Sequence, residues 1–554
     1  MDLPEELSFR DVRKQAPVII SKESRQILPQ NGTKFQQGNS GSTQIVFRLP
    51  NEENASTDIS TMWITCDLTL TNMNATIFSD TNCDFWDSKD FLTITNAHLP
   101  YATVCDSVES MIRQLHILVN GSELERHDYY NLQESMLNFH VNNSNFSNSI
   151  GAGCMLMNLS PWEKIRLFIG NATASRTSSN KVQVSFPLRW TGIANLRSLV
   201  PTYLLGGGQS AIEIRLFLEN ANNFVCAGEI NFSNRTTAGA PMTFRPVNDL
   251  TANSHSITYE LDNVRLNYDV VQTSDAYTSS LRSYLASNQL TLPIDTYYST
   301  VFDLPSTAGW TNFTISTQMS DISAVFIGFL LRDEQSNYAF CSTDRFWKPI
   351  GLEEARLQIN GKPYPNVNIR FSDDTDNTGQ LPEAEAYHYL MKALRQNCSL
   401  EVIGNANAFK EQKKTYIFNG VDANLTAGNQ RQLTSYSPIG LNYGVNKIAP
   451  PTKAGNVYTP RTYVGGAATA EPVLYNDAHI FDSPSQFVLG FDISKSNYNN
   501  EYELSGQDLT KSSGLIQVNL KFKTGSSPNN YQAVVLVKHK RILDIGLDSS
   551  QVIY

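Results

Sequence analysis

Along most of the chain, apolar and polar residues alternate with a period of two, the spacing that sends successive side chains to opposite faces of a strand. The clearest runs are residues 44–49, 63–70, 212–218, 264–270 and 516–522, with 533–537 more uniformly apolar. Each predicts a half-buried strand, and clusters of turn residues separate them. The longest apolar stretch, residues 322–331 between Asp321 and Arg332, reads as a buried strand, because a membrane-spanning helix needs about 20 residues. Helical patterns are few: residues 106–114, 126–139, 274–286 and 383–396, the last rich in Ala, Glu, Leu, Met and Lys. Many short strands with occasional helices predict an all-β protein built of sandwiches or barrels.

The pattern also repeats itself. In residues 113–139 and again in 355–394 a strand runs into Asn-Gly, at Asn120-Gly121 and Asn360-Gly361, and a Tyr-bearing helix follows. Asn-Gly is the strongest short hairpin signal. Blocks beginning Trp63 and Trp310 keep nearly the same separation, so two tandem domains of one fold are expected. Farther on, Phe186-Pro-Leu-Arg-Trp190 pairs with Phe487-Val-Leu-Gly-Phe491 at a wider separation. The second copy therefore carries an insertion at about 400–485, rich in Pro, Gly and Tyr, as a long excursion from a barrel would be. The first copy has its own excursion at 219–255. The expected organisation is an N-terminal arm at 1–40, a first domain at 41–272, a linker at 273–290 and a second domain at 291–554.

Composition narrows the function. Charged residues make up 17% of the 554, and Lys+Arg 43 against Asp+Glu 53 leave a net charge of -10. No bulk basic field exists to hold nucleic acid non-specifically. The start, MDLPEELSFRDVRK, is acidic where a secretory signal would be basic and then apolar, so neither signal-directed secretion nor a membrane span is expected. Cysteines 66, 83, 105, 154, 226, 341 and 398 are odd in number, scattered and free of metal spacing, which predicts reduced thiols in an intracellular setting.

Candidate chemistry is sparse. The eight histidines stand singly, with His116, His127 and His140 the densest grouping, and none has metalloprotease spacing. GxSxG, phosphate-loop and dinucleotide motifs are lacking, and Gly206-Gly-Gly208 reads as a turn. No catalytic residue or cofactor is expected. Asp374, Asp376, Thr378 and Glu385 occupy calcium-loop positions, but the preceding residues look like a strand and Pro382 interrupts the loop; a solvated acidic turn capping the next helix explains the same residues. Sequons at Asn74, Asn142, Asn145, Asn231, Asn234 and Asn312 follow from an Asn/Ser/Thr-rich composition. The basic run Lys538-His-Lys-Arg541 reads as a solvated strand end, with contact to enclosed nucleic acid as the alternative.

Four stretches together resemble a known family. They are Leu28-Pro-Gln-Asn-Gly-Thr33 with Ile45-Val-Phe-Arg-Leu-Pro50; Asp106-Ser-Val-Glu-Ser-Met111 running into Val119-Asn-Gly-Ser-Glu-Leu-Glu-Arg126; Phe186-Pro-Leu-Arg with Leu199-Val-Pro201 and Leu204-Leu-Gly-Gly207; and Phe487-Val-Leu-Gly-Phe-Asp492 with Leu504-Ser-Gly506. In this order and spacing they resemble the double jelly-roll major capsid proteins of the adenovirus hexon lineage, in particular the Polinton, adintovirus, virophage and Polinton-like virus branch. The resemblance implies two eight-stranded jelly rolls side by side and a homotrimer that forms a pseudo-hexagonal capsomer. It further implies an icosahedral DNA-virus capsid in which the partners are neighbouring capsomers, a penton protein and minor capsid proteins. It places the arm at the capsomer base and makes 219–255 and 400–485 tower loops or intersubunit clasps. The insertions are modest beside those of large hexons. A carbohydrate-binding tandem jelly roll would share the β-rich pattern but would usually be secreted; a cupin-like enzyme would need a converging His/Glu cluster.

Overall fold

The period-two runs become strands in a computed structural model. It describes residues 19–72, 98–141, 150–157, 181–205, 210–231, 243–246, 257–331, 345, 347, 350–371, 384–394, 487–494, 506–509, 515–523 and 528–553, less a few positions, together with single residues in 164–168 and short strands between 416 and 459. In chain order the first eight long strands are β1 (Ile19–Ile27), β2 (Gln44–Pro50), β3 (Ala55–Thr71), β4 (Ile112–Val119), β5 (Ser122–His127), β6 (Lys181–Pro187), β7 (Ser210–Leu218) and β8 (Thr258–Thr273). The next are β9 (Leu290–Asp303), β10 (Gly309–Ser316), β11 (Ala324–Leu331), β12 (Leu352–Ile359), β13 (Lys362–Arg370), β14 (Val488–Asp492), β15 (Leu515–Phe522) and β16 (Tyr531–Gly546), with β17 (Ser549–Ile553) last.

The first set forms sheets β1-β8-β3-β6 and β2-β7-β4-β5; the second forms β9-β16-β11-β14 and β10-β15-β12-β13. Adding eight to each label of the first set gives the second, so the two barrels share one connectivity. Two four-stranded antiparallel sheets in this order make a jelly roll, and the protein is an all-β double jelly roll. Alternation builds each core. On β3, Ile64, Cys66, Leu68 and Leu70 are buried while Trp63, Thr65, Asp67 and Thr69 stay partly exposed. Phe47, Ile117, Phe186, Ile214 and Leu266 add to the first core; Ile327, Phe329, Leu357, Val518, Phe522 and Val535 add to the second. Burying a side chain of this size stabilises by about 1.5–3 kcal/mol.

Antiparallel neighbours fix which connections share an end of a barrel. The links after the first, third, fifth and seventh strands leave one end, and they include the long stretches 72–111, 142–180 and 219–257 in the first barrel and 332–351 and 371–487 in the second. The opposite end holds the tightest turns. There Asn120 and Gly121 have φ of 48° and 80°, and Asn360 and Gly361 have 49° and 80°. Positive φ at both central residues is the type I′ geometry that Asn-Gly favours. Helix α1 (Tyr130–Val141) follows β5, and α3 (Ala384–Ala393) follows β13, at equivalent points of the two barrels. Between the barrels lies α2 (Asp275–Leu285), whose N-cap Ser274 accepts from the Tyr277 N–H. At the loop end, Val225–Asn231 pairs with both His98–Val104 and Thr243–Pro246, so these three strands form one small sheet.

Several expectations change. The arm is shorter than 1–40, because β1 already pairs with β8 from Ile19 onward. Trp63 and Trp310 are not equivalent: the first lies on the third strand of its barrel and the second on the second strand of its own. Residues 106–114 form only a single 3-10 turn at Val108–Met111, after which β4 begins; Ile112 and Leu115 are drawn into the first core, which a helix would not allow. Apart from five short strands within residues 416–459, the 400–485 insertion lies outside the described residues.

Candidate functional site

Among the described residues, buried charged and polar side chains gather where the barrels meet. At the loop end, the motif stretch 106–111 turns sharply, with Asp106 at φ 52°. This turn aims the Asp106 carboxylate across the seam. Its Oδ1 accepts from the Arg345 N–H at 2.8 Å, its Oδ2 pairs with the Arg345 guanidinium, and its carbonyl accepts from Lys164 Nζ at 2.7 Å. Arg345 also donates to the Asn223 carbonyl at 2.7 Å. Both side chains are buried. A buried pair of this kind holds register between its two carriers, because separating them strands a charge away from water. Beside it, Trp347 Nε1 donates to Ser135 Oγ on α1 at 3.1 Å. The Trp347 ring lies over Gly328 of β11, where a Cβ would sit 2.6 Å from the ring and 2.5 Å from Met136 Sδ of α1. The close approach of α1 to β11 therefore requires glycine there.

Behind this contact the first barrel buries a polar cluster. Arg189 Nε donates to Glu109 at 2.7 Å, and Arg189 Nη2 reaches Glu134 at 3.3 Å and Asn138 at 3.2 Å. Ser107 and Ser110 donate to Glu134 at 2.8 and 3.0 Å, and Tyr130 donates to Glu109 at 3.1 Å. Two fully buried carboxylates share one guanidinium, so burial raises both, and burial with the neighbouring Glu109 charge pushes Glu134 up to about 8.

At the turn end, β5 packs against β9 and β17. Glu125 is fully buried and accepts from the Gly192 and Ile193 N–H groups at 2.7 Å each, fixing the 188–195 loop. That loop lies so close to the second barrel that a Cβ on Gly192 would fall on the Asp295 carbonyl. Arg541 donates to the Leu124 carbonyl at 2.7 Å and the Glu123 carbonyl at 3.3 Å. His127 lies at 3.0 Å from Gln133 and 3.4 Å from Glu125. His539 is buried nearby, and burial, with the Arg541 charge, pulls it down to about 3. Ser550 of β17 donates to the Leu205 carbonyl at 2.8 Å, and the Tyr129 N–H donates to Ser299 Oγ on β9.

The basic run thus meets a fate that neither sequence reading anticipates. Residues 538–541 lie inside β16: Arg541 reaches the first barrel, while Lys538 pairs with Asp295 at 3.2 Å and Lys540 faces Asp321 at 3.8 Å within the second. Of the calcium candidates, Asp374, Asp376 and Thr378 lie outside the described residues; Glu385 is exposed in the first turn of α3 and accepts from the Arg370 N–H at 3.1 Å. His116, His127 and His140 do not converge: His116 sits on β4 with Glu123 at 3.9 Å, His127 is in the seam and His140 is near the end of α1. Among the described residues no group of three or more His, Cys, Asp or Glu could hold a metal ion. No helix of the described residues is long and apolar enough to cross a membrane. Gly206-Gly-Gly208 lies outside the described residues, and Asn312 stands exposed on β10. Sequence reasoning missed Arg345 and Glu134, and it singled out Arg541 without its contact to β5. Its only pointer was that Asp106, Glu109 and Arg189 fall inside the quoted motif stretches.

Comparison with known proteins finds likeness only among solved structures. No family model and no curated protein matches the sequence. Among solved structures, the chain is similar to a PBCV-1 virus capsid model at 9% identity and TM-score 0.47, covering 99% of both chains. It is similar to the Faustovirus major capsid protein at 11% identity and TM-score 0.46, covering 98% of this chain and 94% of that one. The mavirus major capsid protein matches at 10% identity and TM-score 0.44, over 100% and 95% of the two chains.

Proposed function

We infer that the chain is the major capsid protein of a double-stranded DNA virus, a structural protein rather than an enzyme, and that three copies close into a pseudo-hexagonal capsomer of an icosahedral shell. The observation that carries the reading is the pair of barrels with one connectivity, set side by side with their loop ends on the same side. Asp106 and Arg345, which join across the seam, both belong to connections that leave the loop end. A polarised unit of two like barrels suits tiling: three copies present six similar barrels in a ring, with short turns on one face and variable loops on the other. The structures to which the chain is similar are of a virus capsid and of viral major capsid proteins, which agrees with this reading. The partners are then neighbouring capsomers, with a penton protein and minor capsid proteins completing the shell, and the location is the virion.

Light scattering of the purified chain, followed by negative-stain imaging, tests the assignment. A mass of three times the 61.8 kDa chain with six-sided particles is expected. A particle that remains at one chain mass across the micromolar range, with no higher assembly, would overturn it.

A further inference from the structure

On the outer face of the sheet β10-β15-β12-β13, side chains from three adjacent strands meet without satisfying one another. Val518 and Leu520 of β15 point into the second core, so Asn519 between them points outward, yet it is only 3% exposed. The strand register sets it directly between Asn312 of β10 and Arg356 of β12. The Arg356 guanidinium lies 5.4 Å from the centre of the Trp310 ring, a cation–π contact that joins β12 to β10 over β15 and roofs this position. Beneath it Asn519 Nδ2 has no hydrogen-bond partner, and neither has Arg356 Nε. Among the described residues Arg356 makes no ion pair. The carboxylates next to it on β12 are engaged elsewhere: Glu353 and Glu354 pair with Lys521 at 2.8 and 3.3 Å, and Glu354 also accepts from Asn368.

The fold does not require this arrangement. On the matching sheet of the first barrel, β2-β7-β4-β5, Arg48 and Arg215 share the carboxylate of Glu213, with Arg48 Nε at 2.6 Å. An orphaned buried donor costs about 1–3 kcal/mol, and a ligand that accepts from it recovers that cost. Trp310 is 47% exposed, with Asn312 and Thr314 exposed beside it on β10, so part of the indole stands open next to the unused donors. Because β10 begins and β15 ends at the loop end, Trp310 lies near the end that carries the long connections. The guanidinium fork matches a carboxylate or sulfate, and the Asn519 amide adds another N–H. The negative π face of the indole attracts the slightly positive C–H groups on one side of a pyranose ring. An acidic saccharide offers both features within one sugar residue, whereas an acidic peptide side chain would engage the guanidinium and leave the indole unused.

We propose that Trp310, Arg356 and Asn519 form a binding site for an acidic saccharide, with the sugar ring on the open part of the Trp310 indole and its carboxylate or sulfate on Arg356 and Asn519. The site lies within one barrel of one chain, so it is present whether or not copies assemble, and its test stands apart from that of the capsid assignment.

The test is isothermal titration of the full chain with trigalacturonate, a heparin tetrasaccharide, neutral maltotriose and triglutamate. One or both acidic saccharides should bind, the arm that binds telling carboxylate from sulfate, and maltotriose should not. Trp310→Ala and Arg356→Gln should each weaken binding about tenfold or more, the loss expected when hydrogen bonds to a charged group or a stacking surface are removed. Arg48→Gln, on the matching sheet of the other barrel, should leave it unchanged. The altered side chains lie on an outer face, so circular dichroism and melting should match wild type; where one variant fails that check, Asn519→Asp, which keeps the shape and sets a carboxylate against that of the ligand, takes its place and should also weaken binding. Acidic saccharides that fail to bind at millimolar concentration would overturn the site, as would binding that Trp310→Ala and Arg356→Gln both leave within about twofold of wild type. Maltotriose bound as tightly as the acidic probes would overturn the role of Arg356. Triglutamate bound as tightly as the saccharides, and indifferent to Trp310→Ala, would overturn the saccharide in favour of an acidic peptide.

Discussion

Replacing Asp106 by Asn tests how firmly the two barrels are held in register. Asn keeps the size of the side chain, and its oxygen can still accept from the Arg345 N–H, now 2.8 Å from Asp106 Oδ1. What disappears is the charge opposite a guanidinium that is only 7% exposed, on a carboxylate that is 4% exposed. Unit charges about 3 Å apart attract by about 5 kcal/mol at an effective dielectric of about 20, and removing one partner of a buried pair costs about 3–5 kcal/mol. The retained backbone hydrogen bond and the Asn223 carbonyl at 2.7 Å from Arg345 Nη2 place the expected loss near the lower bound, about 3 kcal/mol. Urea unfolding followed by tryptophan fluorescence reads it directly, since Trp347 sits at the same seam. The double variant Asp106→Asn with Arg345→Met removes both charges and should recover at least half of the loss, a coupling that a double-mutant cycle isolates. If Asp106→Asn unfolds within about 0.5 kcal/mol of wild type, or if the two losses simply add, the pair does not lock the barrels and the reasoning fails.

Other consequences are equally direct. Glu134, raised from 4.5 to about 8 by burial, holds a proton in the folded state that the unfolded chain has released. Its contribution to stability is therefore complete below about pH 4.5 and is lost as pH rises through about 8; Glu134→Gln should flatten the fall in melting temperature over that window, and an unchanged slope would rule the group out. His539 works in the opposite sense. Lowered from 6.5 to about 3, it stays neutral when folded, so stability is complete above pH 6.5 and declines toward pH 3. His539→Gln should lessen acid unfolding, as measured by circular dichroism between pH 6.5 and 3. Gly328→Ala should cost about 1–3 kcal/mol through overpacking against Met136 and Trp347; a neutral result in chemical denaturation would mean that α1 can withdraw from β11.

The sequence by itself determined the strands, because period-two alternation is a local property that each run carries alone. It determined the two hairpins as well, since Asn120-Gly121 and Asn360-Gly361 are suited to positive φ whatever surrounds them. It also revealed the duplication, and both Asn-Gly turns join equivalent strands. Where it misled, the missing information was non-local. Trp63 and Trp310 look alike in spacing, yet only the pairing of strands shows that they occupy different rungs of their barrels. Residues 106–114 have helical spacing, but only Val108–Met111 make a helical turn before the core draws Ile112 into β4. Lys538-His-Lys-Arg541 looks like a solvated end, yet it lies inside a strand paired along β9, and Arg541 reaches β5. Arg345 and Asp106 are far apart in sequence, and Glu134 looks like an ordinary helix surface residue until Ser107, Ser110 and Arg189 converge on it from other segments. Local pattern fixes which face of each strand is apolar; which edges then meet, and which charges lose water when they do, depends on packing between segments hundreds of residues apart, and only the tertiary structure decides it.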